Sequence, residues 1–341
     1  MADDPWLTIV GIGEFGFDGL SPAGRRAVEA ADVVIGAERH LHVLGEIGAE
    51  CQTWPVPFAD GIDKVLAQRG RAVVMLASGD PFWFGAGSVI ADRLEAGEWR
   101  ALPAVSVFSL AASRLGWPLQ ATACLGLHAA PLTRIRPYIA PQARALVLLR
   151  DGSAVAELAD YLTGENFGAT RMHVMEALGG PRERVRLATC ETFDVGDIAH
   201  PVAVGLVFAG DGSVMPQVGG RPDDWFEHDG QITKRSVRAV TLSTLAPGAG
   251  EHLWDIGAGS GAIGIEWLLA HPRCSAEAVE ADPVRAGRAR ANAERLGVDR
   301  LRVLEGRVPS ALSRLEQQPD AVFIGGGLSD VVLNAIWDKV E

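Results

Sequence analysis

Along the first 210 residues, short apolar runs alternate with amphipathic stretches, and turn residues separate them. Leu7-Thr8-Ile9-Val10 reads as a buried strand entering the glycine-rich stretch Gly11-Ile12-Gly13-Glu14-Phe15-Gly16. Ser21-Pro22 supplies an N-cap and a first helical position, predicting a helix through about Ala31. Further strands are predicted at Val33–Ile35, Glu50–Val56, Ala72–Leu76 and Ala101–Val105, with helices at Gly36–Leu41, Ser88–Leu94 and Phe108–Leu115. This alternation predicts an α/β fold with a mostly parallel sheet covered on both faces. A second set of apolar runs follows at Ala121–Leu127, Ala145–Leu149, Arg171–Ala177, Val185–Cys190 and Val202–Phe208. Within it, the helix Ala154–Leu162 carries Leu158, Tyr161 and Leu162 on one face.

Glycine, proline and acid then interrupt the pattern through Gly219-Gly220-Arg221-Pro222-Asp223-Asp224. Beyond them Val237, Val240, Thr241 and Leu245 form an apolar helix face, and strands recur at Leu253–Ile256, Ala276–Val279, Leu301–Leu304 and Ala321–Ile324. The organisation expected is a lobe over 1–120, a second lobe over 121–210, a linker over 211–231 and a final domain over 232–341.

Composition narrows the class. A chain of 341 residues suits two or three domains, and 48% hydrophobic with 22% charged residues is the balance of a soluble globular protein. No apolar run approaches the roughly 18 residues of a membrane span, and Met1-Ala2-Asp3-Asp4-Pro5 is no signal peptide, so a cytoplasmic protein without membrane contact is expected. Cys51, Cys124, Cys190 and Cys274 are scattered and predict buried thiols, with no metal site. A net charge of −12 argues against nucleic acid as a partner.

The chemistry concentrates at Leu253–Glu266, where a strand meets a glycine turn and a helix. Such a turn brings backbone close to a ligand and aims helix N–H groups at it. Glu280 ends the next strand, where an acid can take ribose hydroxyls. Gly259-x-Gly261-x-x-Gly264 alone also fits a dinucleotide site, so an NAD-dependent oxidoreductase is one alternative. Asp255-x-Gly257-x-Gly259-x-Gly261 resembles the first motif of class I S-adenosylmethionine (SAM) methyltransferases, which implies a strand-end acid near the cationic methionine end of SAM. The order Asp255–Gly261, Val279–Asp282, Glu305–Pro309 and Phe323–Gly327 resembles the decarboxylating precorrin methyltransferase domain. On that basis Thr233, Asp255, Gly257, Ala258, Gly259, Ser260, Gly261, Glu280, Arg307 and Val308 are expected to hold SAM.

In the first half, Gly11-x-Gly13, Ser78-Gly79-Asp80-Pro81, the Pro103–Ser109 loop, Ala111–Pro118 and Glu176-Ala177-Leu178-Gly179-Gly180 together resemble the tetrapyrrole methylase family over about residues 7–210. The resemblance implies paired αβα lobes with SAM in the cleft. Gly79 and Asp80 would lie beside it, Ser106 and Ser109 would face it, and Leu127, Ala177 and Leu206 would line its adenine end. Phe15, where the family usually has proline, and Leu127-His128-Ala129 depart from the pattern and affect the macrocycle contacts.

The fused order implies a two-site enzyme of corrin biosynthesis. It would methylate precorrin-6 at C5 with the first half and at C15 with the second, with decarboxylation of the C12 acetate, giving precorrin-8. A SAM methyltransferase acting on RNA or protein is a further alternative. Because electron-rich meso carbons attack an already electrophilic methyl, no catalytic acid or base is assigned. Arg39, Lys234 and Arg238 are candidates for the substrate carboxylates. Both family resemblances imply self-association. A class I sheet normally has seven strands, and four are readable after Val240. The second domain is therefore expected to be C-terminally truncated, with weakened SAM binding.

Overall fold

The computed structural model describes residues 5–340; the reading of Met1–Asp4 lies outside them. The chain divides into two compact units, one formed by Met1–His128 with Arg144–Ala209 and the other by Ala129–Ala143 with Gly210–Glu341.

The first unit begins with β1 (Leu7–Ile12), α1 (Pro22–Glu29), β2 (Val33–Gly36), α2 (Glu38–Leu44), β3 (Glu50–Thr53), α3 (Asp60–Leu66), β4 (Val73–Ser78), α4 (Ala86–Ala91), β5 (Trp99–Leu102) and α5 (Val107–Leu115). The Ser21 hydroxyl caps α1 by accepting from the Gly24 amide at 3.1 Å, as the Ser-Pro pair predicts. The five strands form a sheet in the order β3-β2-β4-β1-β5, and every pairing is parallel. Both faces are covered. Ile9, Ile35 and Met75 pack with Val65 of α3 and Ile90 of α4, while Val10, Val34 and Val74 pack with Val28 of α1 and Leu44 of α2. Apolar side chains are therefore needed at successive positions, which explains runs without polar alternation.

The same unit continues with β6 (Ala123–Gly126), β7 (Arg144–Leu149), α6 (Ser153–Gly164), β8 (Arg171–Glu176), β9 (Arg184–Thr189) and β10 (Val202–Val207). Their sheet runs β6-β7-β10-β8-β9 and is mixed, with β10 antiparallel to both β7 and β8. Phe108, Ala111 and Ala112 of α5 pack against Leu146, Met175 and Ala203 of this sheet.

The second unit contains α7 (Arg235–Leu245), β11 (His252–Ile256), α8 (Ala262–Ala270), β12 (Ser275–Glu280), α9 (Pro283–Arg295), β13 (Arg302–Glu305), β14 (Ala321–Ile324) and α10 (Asp330–Val340). Among the described residues the sheet has four parallel strands in the order β13-β12-β11-β14. β14 is an edge, and Val237, Val240 and Trp337 expose apolar surface in this unit. Ile265 and Trp267 of α8 and Ala286 and Ala289 of α9 form the core on one face; Trp254, Val279, Val332 and Ile336 form it on the other.

Two features differ from the expected organisation. The 211–231 stretch is packed in the second unit, where Met215 and Phe226 are buried in the core with Trp225 against them. Turn-rich composition reads as a linker, and a few well-spaced apolar anchors are enough to bind such a segment to a core. Residues 129–143, from within the range of the expected second lobe, also belong to the second unit. Arg134 makes a two-pronged pair with Asp299 at 2.6 and 2.9 Å, and the Arg136 guanidinium lies 4.7 Å from the centre of the Trp225 ring.

Candidate functional sites

In the second unit a cavity of about 630 Å³ opens at the carboxyl ends of β11, β12, β13 and β14. That edge of a parallel sheet is where ligands of open α/β folds bind. Thr233, Gly257, Ala258, Gly259, Ser260, Glu280, Arg307 and Val308 line it, with Gln231, Arg285, Phe323 and Gly325–Gly327, which were outside the set expected to hold SAM. Gly257 has φ of +74°, and a Cβ there would lie 2.8 Å from the Gly326 amide nitrogen, so backbone passes where a side chain would be. The Gly259 amide donates to Glu280 at 2.8 Å, which ties the turn to the acid at the end of β12.

Asp255 and Gly261 lie behind this surface. Gly261 caps α8 with φ of +77°. One Asp255 carboxylate oxygen accepts from the Gly264 amide at 2.9 Å, and the other, Oδ1, is buried with no hydrogen-bond partner. Burial drives its pKa up from 3.8 to about 7; the Gly264 amide opposes the shift and the Glu280 charge adds to it. A buried carboxylate oxygen with no donor is costly by itself and becomes favourable once a cation approaches.

The wall formed by Gln231–Thr233 is anchored by a buried charge cluster. Arg238 donates to Glu266 at 2.7 Å and to Asp223 at 2.9 Å, and stacks on Phe226 at 4.8 Å. It also donates to the backbone carbonyls of Arg221 and Thr233. Glu266 accepts in addition from Arg221 Nη1 and from the Gly220 and Arg221 amides. Arg238 is fully buried, so it cannot reach a substrate carboxylate, and its expected role is corrected to a structural one. A basic residue on a partly apolar helix reads as solvated; its partner Glu266 is 28 positions away and came close only through folding. Lys234 is the exposed N-cap of α7 and does not line the cavity.

In the first unit a cavity of about 360 Å³ is lined by Gly79, Asp80 and Ser106 of the expected set and by Arg39. The Asp80 carboxylate accepts from the Phe82 amide at 2.9 Å and shapes the loop after β4. Ser106 caps α5, accepting from the Ser109 amide at 3.2 Å. Ser109, Leu127, Ala177 and Leu206 are not on the cavity lining, and Leu206 is fully buried within β10. Arg39 donates to Glu14 and, at 2.8 Å, to Ser78, so its charge is already compensated. His40 bonds Ser78 at 2.8 Å, and burial, with the neighbouring Arg39 charge second, holds its pKa down at about 3. It is therefore neutral and a weak base at physiological pH.

Two ligand-sized cavities at the carboxyl ends of parallel strands, one under a D-x-G-x-G-x-G turn, lie in two dissimilar α/β halves and fit a methyltransferase. Two family models agree: Tetrapyrrole (Corrin/Porphyrin) Methylases matches residues 6–194, and Precorrin methyltransferase domain matches residues 224–341. The chain is 49% identical to precorrin-6Y C(5,15)-methyltransferase (decarboxylating) of Sinorhizobium sp, over 99% of this chain and 82% of that one. It is 35% identical to the protein of the same name from Mycobacterium tuberculosis, over 98% of this chain and 84% of that one. A solved structure, the C-terminal domain of precorrin-6Y C5,15-methyltransferase from Rhodobacter capsulatus, is 44% identical over 37% of this chain and 68% of that one, with a TM-score of 0.36. The chain belongs to the precorrin-6Y C(5,15)-methyltransferase (decarboxylating) family. Among the described residues no helix is long and apolar enough to cross a membrane.

Proposed function

We propose that both cavities bind SAM, and that the enzyme methylates a precorrin-6 tetrapyrrole at C5 in the first unit and at C15 in the second, removing the C12 acetate carboxyl. The observation that carries this reading is the pairing of two separate cavities with two methyltransferase family matches in one chain. The second cavity fits SAM through its own chemistry. Glu280 suits ribose hydroxyls, the Gly257–Gly261 turn leaves room for backbone contact, and the buried Asp255 carboxylate behind the turn supplies negative potential for a cationic methionine end. In the first cavity Gly79, Asp80 and the Ser106 cap face the space available to the cofactor.

SAM supplies an electrophilic methyl. The chain's part is to hold that methyl in line with a meso carbon and to keep water out. No strong base is required for that attack. Decarboxylation draws on the macrocycle as its electron sink, with the protein fixing the acetate in place.

Incubation with a reduced tetrapyrrole and isotopically labelled SAM is expected to yield product with two labelled methyls and loss of carbon dioxide. Product with no label overturns the proposal, and a single label places the activity in one unit only. Calorimetry is expected to find two SAM sites per chain. In Gly257→Ala the added Cβ meets the Gly326 backbone, so binding at the second site is lost while the first persists. Unchanged stoichiometry in that variant removes the second cavity as a SAM site.

A further inference from the structure

The first unit exposes large apolar side chains in the loops that follow four parallel strands. Phe15 (60% exposed) follows β1, Val56 (96%) and Phe58 follow β3, Phe82, Trp83 and Phe84 follow β4, and Val105 (61%) follows β5. The order β3-β2-β4-β1-β5 brings all of these loops to one edge of the sheet, the carboxyl edge. Scattered exposed apolar residues need no explanation, but a concentration at a ligand edge does.

Two of these groups face the cavity as preformed aromatic pieces. Trp54 and Phe58 stack with centroids 4.9 Å apart and planes at 22°. Trp83 lies 4.8 Å from Phe108, and Phe84 meets the same ring edge-on at 5.8 Å. Trp54, Phe58, Trp83 and Phe84 all line the cavity that contains Gly79, Asp80 and Ser106. Phe84 is also strained. It has φ of +56°, a region that bulky residues avoid. Its ring is received by Gly126, where a Cβ would lie 2.7 Å from Phe84 Cγ. Despite that seat the ring stays half exposed. A strained aromatic held in a glycine notch and still presented to solvent is arranged to contact a ligand.

We infer that Trp83 and Phe84, together with Trp54 and Phe58, are jaws that grip the ring face of the tetrapyrrole and set its position against the first methyl-donor pocket. This rests on the functional reading above and deepens it. A reduced tetrapyrrole presents a broad, partly conjugated apolar ring face that packs on such rings, while its carboxylate arms remain at the rim in water. The jaws are positioning and specificity residues for the substrate, and they leave the cofactor contacts to the glycine loop.

The test uses the full chain and two readouts: SAM affinity by calorimetry, and tetrapyrrole affinity by tryptophan quenching with uroporphyrin III as probe, with KM and kcat for the first methylation alongside. Trp83→Leu and Phe84→Leu keep apolar volume while removing the π-face. The double variant is expected to lose about tenfold or more in uroporphyrin affinity and in KM for tetrapyrrole. SAM affinity stays within about twofold, a margin far smaller than that of a lost anchor. Trp83→Phe is expected to retain most of the affinity, which a purely structural role for the indole would not predict. A double variant with unchanged uroporphyrin affinity and KM overturns the jaws. An equal loss of SAM and tetrapyrrole affinity also overturns them, because it marks collapse of the whole cavity. Failure of the unmodified chain to bind SAM or methylate any tetrapyrrole overturns instead the functional reading beneath them.

Discussion

Glu266→Gln is expected to destabilise the second unit by about 3–5 kcal/mol, the usual cost of removing one partner from a buried ion pair. Both carboxylate oxygens of Glu266 are used, by Arg221, by Arg238 and by two backbone amides, in a region closed to water. An amide in its place turns one acceptor into a donor that faces N–H groups. It also leaves two buried guanidiniums with Asp223 as the remaining carboxylate in this cluster. The effect then spreads to function, because the same cluster anchors Thr233 through its carbonyl bond to Arg238. Hydrogen exchange of the β11 and β12 amides is expected to accelerate accordingly, and second-site SAM affinity to fall with it. Exchange rates equal to those of the unsubstituted chain would mean that the cluster contributes little, as some buried pairs do when their desolvation cost is large.

Asp255→Asn is expected to have opposite effects on stability and on binding. Its carboxyl titrates near 7 in the folded chain against 3.8 as the ordinary value. Between those limits the folded state keeps a proton that the unfolded state has released, so stability falls as pH rises through that window and the cost is constant above it. Three units correspond to up to about 4 kcal/mol. The asparagine variant lacks this cost, so at pH 8 it is expected to melt above the unsubstituted chain, while at pH 4 the two converge. Second-site SAM affinity is expected to fall by about tenfold to a hundredfold, because the cation loses its counter-charge. At pH 6 the unsubstituted chain should release a proton on binding SAM, read as a calorimetric enthalpy that varies with the buffer; Asp255→Asn should show no such variation. Melting that is flat from pH 5 to 8 would overturn the perturbed titration. His40 gives the first unit the reverse slope. Held near 3, it loses stability as pH drops from about 6.5 towards that value.

Much of the fold was legible because its signals are local. Ser21-Pro22 starts α1 as N-cap and first-turn chemistry dictate. The D-x-G-x-G-x-G stretch is contiguous, and its Gly257–Ser260 line the second cavity together with Thr233, Glu280, Arg307 and Val308, which family order placed there. The first site was less legible. Ser109, Leu127, Ala177 and Leu206 were placed by family position and do not reach the cavity lining, whereas the aromatic jaws carry no period and sit in loops.

The amino-acid sequence by itself determined where strands, caps and glycine turns form, because those depend on neighbours a few residues apart. Tertiary structure alone decided which charges are buried. Arg238 and Glu266, 28 positions apart, become a closed pair, and Asp255 becomes a carboxylic acid poised near neutrality. It also decided that the glycine- and acid-rich stretch 211–231 is part of a core and that four separate loops share one edge. Burial, desolvation and the meeting of distant loops are properties of the assembled chain, and no local pattern encodes them.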